Sequence, residues 1–195
     1  MSTTLYVDYF LKEPINFNDL NNIFSKLINN FRYVHTTSWK SWKNSKISPN
    51  ETSKIVWNEG GSVLFSDFSI SFSTKHSNTQ LTLSFELLSS LISGEDKEKL
   101  ERIIESIILI ANEFPLKSII SYFDSLGIEK SHHWVWYFPK KNIQLFDDWT
   151  KGKIIQLMDG VLVFVAKSHV ASIQDHKEFI DYLKKNHIDV SRIVK

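Results

Sequence analysis

Apolar positions recur along this chain with two different periods, and the alternation between them predicts its elements. Positions 4–11, TLYVDYFL, are aromatic and β-branched, which predicts a first strand, and Pro14 ends it. Leu20, Ile23, Phe24, Leu27, Ile28 and Phe31 then recur at helical spacing, so a helix with one buried face follows, with Asn16 or Asn18 placed to cap it. Residues 35–54 are polar apart from two tryptophans and read as a long loop. The segments KIVWN and GSVLFS flank NEGG (58–61), which predicts a hairpin turn. In FSISFST (68–74), Phe68, Ile70 and Phe72 face inward while serines face out. Val63 and Phe65 stand in the opposite phase, so a bulge or turn is required at Ser66–Asp67. QLTLSFEL (80–87) alternates again.

Leu100, Ile103, Ile104, Ile107, Ile108, Ala111 and Phe114 make the widest apolar stripe in the chain. They predict a helix over 96–114, capped by Ser93 or Asp96. Pro115 breaks it and is expected to start another helix through Leu116, Ile119, Ile120 and Phe123, stopped by Gly127. HWVWYF (133–138) reads as a strand, and IIQLM-DG-VLVFVA (154–166) as a hairpin on a type I′ Asp-Gly turn. Phe179, Ile180 and Leu183 give a closing helix over 174–186. This order predicts an α+β fold: a mainly antiparallel sheet with about four helices on one side, residues 1–195 forming a single domain.

Charge narrows the function. The 23 basic and 22 acidic residues leave a net charge of +1, without the basic excess of a dedicated nucleic-acid binder or the acidic excess of a DNA mimic. There are no cysteines, which removes disulfides, zinc knuckles and thiol nucleophiles. No basic leader precedes an apolar run at the N-terminus, and no apolar stretch reaches membrane-spanning length, so a cytoplasmic protein is expected.

Catalytic signatures are missing. His132 and His133 are neighbours and point to opposite faces of a strand, so they cannot share a metal, and the seven-residue step from His169 to His176 is no familiar ligand spacing. No G-x-S-x-G elbow and no phosphate-cradling glycine loop occurs, and EGGS (59–62) lacks the lysine and helix such a loop needs. No cofactor or metal is expected. Trp134, Trp136 and Phe138 share a strand face and belong to the core. Trp39, Trp42 and Trp149 instead sit in polar segments, where a tryptophan either anchors a partner or folds back over the core edge. Glu51, Glu59, Asp147 and Asp148 accompany them. The predicted partner-binding surface is therefore Trp39, Trp42, Glu51, Glu59, Asp147, Asp148 and Trp149.

Several segments together resemble the Immunity protein 52 family of bacterial toxin–immunity systems. LERIIESIILIANEFPLKSII (100–120) resembles the family's apolar helix ending in an aromatic-x-Pro step. HHWVWYFP is similar to its short Trp-x-x-Tyr strand, here Trp134 and Tyr137. IIQLMDGVLVFVAKSHV resembles its Gly hairpin, and DHKEFIDYLKKN its closing helix. The resemblance implies a small cytoplasmic inhibitor without catalytic residues. Its partner would be a cognate toxin delivered between bacteria, as in type VI secretion, and a nuclease of restriction-endonuclease type. Two other readings stay open. One is a small hydrolase using His132, His133 or His169 with Glu86. The other is single-strand nucleic-acid binding through SWKSWKNSK (38–46), where lysines interleave with aromatics.

Overall fold

The computed structural model describes residues 3–15, 17–40, 43–47, 60–73, 80–124, 133–141 and 143–188. In chain order the elements are β1 (Thr3–Leu11), α1 (Phe17–Asn30), β2 (Tyr33–Lys40), β3 (Lys43–Ile47), β4 (Gly60–Phe65), β5 (Ser69–Ser73) and β6 (Gln80–Leu87). They continue with α2 (Ser89–Ser93), α3 (Lys97–Glu113), β7 (Leu116–Phe123), β8 (Val135–Pro139), a 3-10 turn (Ile143–Phe146), β9 (Lys153–Leu157), β10 (Gly160–Phe164) and α4 (Ile173–Lys185). The strands form one sheet in the order β3-β2-β4-β5-β6-β1-β7-β8-β10-β9, and all its ladders are antiparallel. This is the expected α+β architecture.

One face of the sheet carries α1 and α3. Leu5, Val7 and Tyr9 of β1 point into it beside Leu81, Leu83 and Phe85 of β6, all buried. The Tyr9 hydroxyl reaches the Ile107 carbonyl of α3, and Phe31, after α1, packs edge-on against Phe65 and Phe68. Lys26 of α1 bonds Glu113 of α3 at 2.6 Å. Asp96 caps α3 by accepting from the Lys99 amide, so of the two predicted caps it is the one used. Ser93 instead ends α2, where Gly94 adopts φ +76.

Helix α4 departs from the one-sided arrangement. Phe179 packs against Trp136 and Phe138 of β8, and Trp136 stands opposite Ile120, which shares its face with Asp8. So α4 covers the face opposite α1 and α3, over the β8–β10 end only. Ser172 and Asp175 form a reciprocal capping box at its start.

Three local expectations are corrected. Residues 116–123 are a strand, not a helix. Leu116, Ile119 and Phe123 fit helical spacing, but pairing with β1 selects the alternation Ile119, Ser121, Phe123 instead. The first part of the supposed 35–54 loop is strands β2 and β3, with Trp39 opposite Asn44. The 154–166 hairpin exists, but its two-residue connection is Met158–Asp159, since Gly160 already pairs with Leu157. Gly160 is required for close approach: a Cβ there would lie 2.3 Å from the Phe138 carbonyl oxygen. The predicted phase change after Phe65 is a tight turn closed by the Phe65 amide on the Phe68 carbonyl at 2.8 Å. Asn58 and Glu59 of the other predicted hairpin lie outside the described residues.

Candidate functional site

The side of the sheet away from α1 and α3 is built differently. Residues directly opposite one another on antiparallel strands share a face. On β1 that face carries Thr4, Tyr6, Asp8 and Phe10. Opposite them on β6 stand Glu86, Ser84, Thr82 and Gln80, and on β7 Tyr122, Ile120 and Ser118 complete three rows. Ser71 and Ser69 of β5 extend the rows toward the sheet edge, and the Ser69 and Ser84 hydroxyls bond each other at 2.8 Å. Tyr6, Phe10, Gln80, Thr82, Ser84, Ile120 and Tyr122 all keep partial exposure, so among the described residues nothing closes over this part of the sheet.

Its centre is organised around one carboxylate. Asp8 is 3% exposed and accepts from the Thr82 hydroxyl at 2.7 Å. Burial raises its pKa above the ordinary carboxyl value, and hydrogen bonds from Thr82, Gln80 and Tyr122 offset only part of that. Tyr122 is affected in turn. Its own burial, the Asp8 charge and the bond to Asp8 push its phenol up to about 12, with Tyr6 and Asp124 adding to the effect. Tyr122 therefore stays a neutral donor to Asp8. Its ring stacks on Tyr6 with centroids 5.2 Å apart and planes 21° apart, a flat aromatic pair above the serine and threonine floor. Glu86 and Asp124 are exposed at one end of the pair.

A second polar cluster sits where α4 begins. The His133 Nδ1–H donates to the Ser121 carbonyl at 2.5 Å, and its backbone amide donates to His176 Nδ1 at 3.1 Å. Burial lowers the His133 pKa, against the pull of the Ser121 carbonyl. The Ser121 hydroxyl receives the amides of Trp134 and Val135, so a side chain joins β7 to β8 where the ladder holds one register pair, Ile120 with Trp136. Nearby, Ser168, His169 and Asp175 bond in series: the hydroxyl donates to Nδ1 at 3.1 Å, and Nε2–H donates to Oδ2 at 3.0 Å. The same Asp175 oxygen accepts from the Ser172 amide and hydroxyl. Burial alone would raise Asp175, but these partners hold it below its ordinary value. The order of groups imitates a hydrolytic triad, and the carboxylate is committed to capping α4.

Of the predicted surface residues, Trp39, Asp147, Asp148 and Trp149 are among those described, and Trp39 stands in a strand at the other end of the sheet from the remaining three. Asp147 and Asp148 are exposed in the turn after the 3-10 segment, near Tyr182 of α4, whose phenol is raised by burial and by those two charges. Trp149, next to them, is turned inward. It is 7% exposed, its indole N–H donates to the Val165 carbonyl at 3.0 Å, and its ring packs on Phe179 and Tyr182. Trp39 lies in β2 at the far side of the sheet, while Trp42, Glu51, Glu59 and His132 lie outside the described residues. His133, His169 and Glu86 occupy a strand entry, a helix cap and a β6 position opposite Thr4, so they share no pocket. Most of SWKSWKNSK contributes its backbone to β2 and β3. The Tyr6–Asp8–Tyr122 centre was not predicted. Its one sequence signal is Asp8, an acid within an otherwise aromatic and β-branched strand.

The fold has counterparts. It is similar to that of the Pseudomonas aeruginosa T6SS protein PA0821. The TM-score is 0.55 and the identity 9%, over 93% of this chain and 72% of that one. A chain of the crystal structure of the toxic C-terminal tip of CdiA from Pseudomonas aeruginosa in complex with immune protein aligns at a TM-score of 0.41 and 13% identity, covering 71% of this chain and 94% of that one. No family model and no curated protein matches the sequence. The first likeness is one of fold; the Immunity protein 52 resemblance rests on the segments quoted for it. Among the described residues no helix is long and apolar enough to cross a membrane.

Proposed function

We propose that this protein is an immunity protein, which binds a cognate antibacterial toxin and neutralises it by protein–protein interaction in the cytoplasm. The observation that carries the reading is the uncovered sheet face, with its fixed aromatic and acidic centre, in a fold similar to that of a T6SS protein. The segment resemblance to Immunity protein 52 supports it, and points to a nuclease of restriction-endonuclease type as the toxin. A recognition surface needs rigid side chains of mixed character more than it needs a cleft. A shallow pocket between Ala111, Phe114, Tyr137 and Met158 holds about 20 Å3, room for one water and too little for a substrate.

Co-expression tests the reading. The toxin candidate to use is the C-terminal domain of any large protein encoded beside this gene. Produced alone in a bacterial host, it should arrest growth, and producing this chain with it should restore growth. Arrest that persists when both proteins are present and soluble would remove the immunity role. The hydrolase reading is tested separately: exchanging His169 for Ala should leave protection unchanged, because the His169 ring serves the α4 cap.

A further inference from the structure

The uncovered face has a charge pattern that fits one kind of occupant. Three acids stand on or beside it. Asp8 is buried at its centre, and Glu86 and Asp124 are exposed at the end where Thr4 meets Glu86. The Asp124 amide donates to the Thr4 carbonyl, which carries β7 one step past Tyr122 and places this acid beside the tyrosine pair. On β5, β6 and β1 no described lysine or arginine stands on this face. On β7, Lys117 lies in the bulge at the opposite end, where Phe10 pairs with Ser118. A net charge of +1 for the whole chain thus conceals a local negative face with aromatic rings at its centre. Leu88 and Ile92, exposed in and before α2, follow Glu86 and add an apolar border.

We propose that the open face of β6, β1 and β7, centred on the stacked Tyr6–Tyr122 pair and flanked by Glu86 and Asp124, receives an arginine-bearing basic loop of the partner protein. The proposal deepens the recognition reading above by naming the face and the chemistry of its ligand. A guanidinium is planar, stacks on aromatic rings and forks onto carboxylates, so one side chain uses both features of this face. Asp8 acts as a positioning residue. Its carboxylate takes the Tyr122 hydroxyl, fixes the ring and sets negative potential beneath it. The fold gains nothing from that ionised carboxylate, since its burial is unfavourable and only partly offset. A group kept at a cost to stability is expected at a binding site.

Two measurements decide this. In the first, hexa-arginine is titrated into the full-length labelled protein and followed residue by residue by NMR. Shifts should centre on Tyr6, Thr82 and Tyr122, fade as salt is raised, and weaken about tenfold in the double variant E86K/D124K. Shifts centred on Asp147 and Asp148 instead, or no saturable shifts, would overturn the proposal. Both substituted positions are exposed, and an unchanged melting temperature confirms that the variant folds. In the second, the same variant replaces wild type in the co-expression assay. Wild-type protection with loss in E86K/D124K supports the face. Protection by both proteins overturns the face and leaves the immunity role intact. If wild type itself fails to protect, the immunity role falls, and the peptide titration still decides the chemistry of the face.

Discussion

Replacing Asp8 by Asn removes a buried charge while keeping the shape of the side chain. In the folded protein this carboxyl is 3% exposed, and burial raises its pKa despite the bonds from Thr82, Gln80 and Tyr122. A carboxyl raised in the folded state contributes stability that is fully present below its unfolded value of 3.8 and is lost as the pH climbs through the folded value. The ionised form of this group is therefore a burden on the fold. Asparagine keeps an acceptor for the Thr82 hydroxyl. It gives up the charge assistance in these bonds, about 1 kcal/mol, and removes a desolvation penalty of a few kcal/mol. The expected balance is a variant more stable by about 1 kcal/mol at pH 7, or about 2–4 °C in Tm for a chain of this size. Urea unfolding of both proteins at pH 7 and pH 3 measures it. The advantage should shrink at pH 3, where the wild-type group is protonated. A variant less stable than wild type at pH 7, by the same amount at both pH values, would refute the reasoning. The same substitution should weaken hexa-arginine binding, so that stability and recognition move in opposite directions.

Two further outcomes are expected. Phe179→Ala empties a fully buried site among Trp136, Phe138 and Trp149, whose ring centroids lie 5.9, 6.3 and 5.0 Å from that of Phe179. It should cost about 3–5 kcal/mol in denaturant unfolding, and a loss below about 1 kcal/mol would show that α4 does not pack as described. His133, whose pKa burial lowers, gives full stability above its unfolded value of 6.5 and progressively less as the pH falls through that value toward the folded one. In His133→Gln this acid-side decline should be smaller, and an unchanged stability profile between pH 7 and 5 would contradict the assignment.

The sheet was legible wherever alternation was clean. FSISFST and QLTLSFEL fall on β5 and β6 with their predicted inward faces, and the stripe from Leu100 to Ala111 is helix α3. The 116–123 segment failed because Leu116, Ile119, Ile120 and Phe123 fit helical spacing, while only Ile119 and Phe123 keep the strand period, and pairing with β1 overrides the helical pattern. Residues 35–47 failed for the opposite reason: polar side chains hid two strands whose backbone bonds are set by β4 and by each other. The first of these errors concealed the candidate site. With Tyr122 assigned to a helix, it could not be placed beside Tyr6, and the uncovered face had no third row. The loop tryptophans illustrate a different limit. A polar neighbourhood predicts exposure, yet Trp149 is drawn under α4 by Phe179 and Tyr182, which lie some thirty positions further along the chain. The α4 side of the sheet was also hidden, because the strand pattern says that Trp136 and Phe138 are buried and not which layer buries them, and Trp134, expected on the same face, packs instead on Phe85 on the side of α1 and α3.

The central claim is that this protein acts by holding another protein, and mixing the two purified partners tests it most directly. Equimolar amounts of this chain and the toxin domain that it protects against in co-expression, run on a sizing column and titrated by calorimetry, should give one complex with a Kd of about 10 nM or tighter, a free energy of about −11 kcal/mol. Separate elution, with no heat of binding at micromolar concentrations, would contradict it.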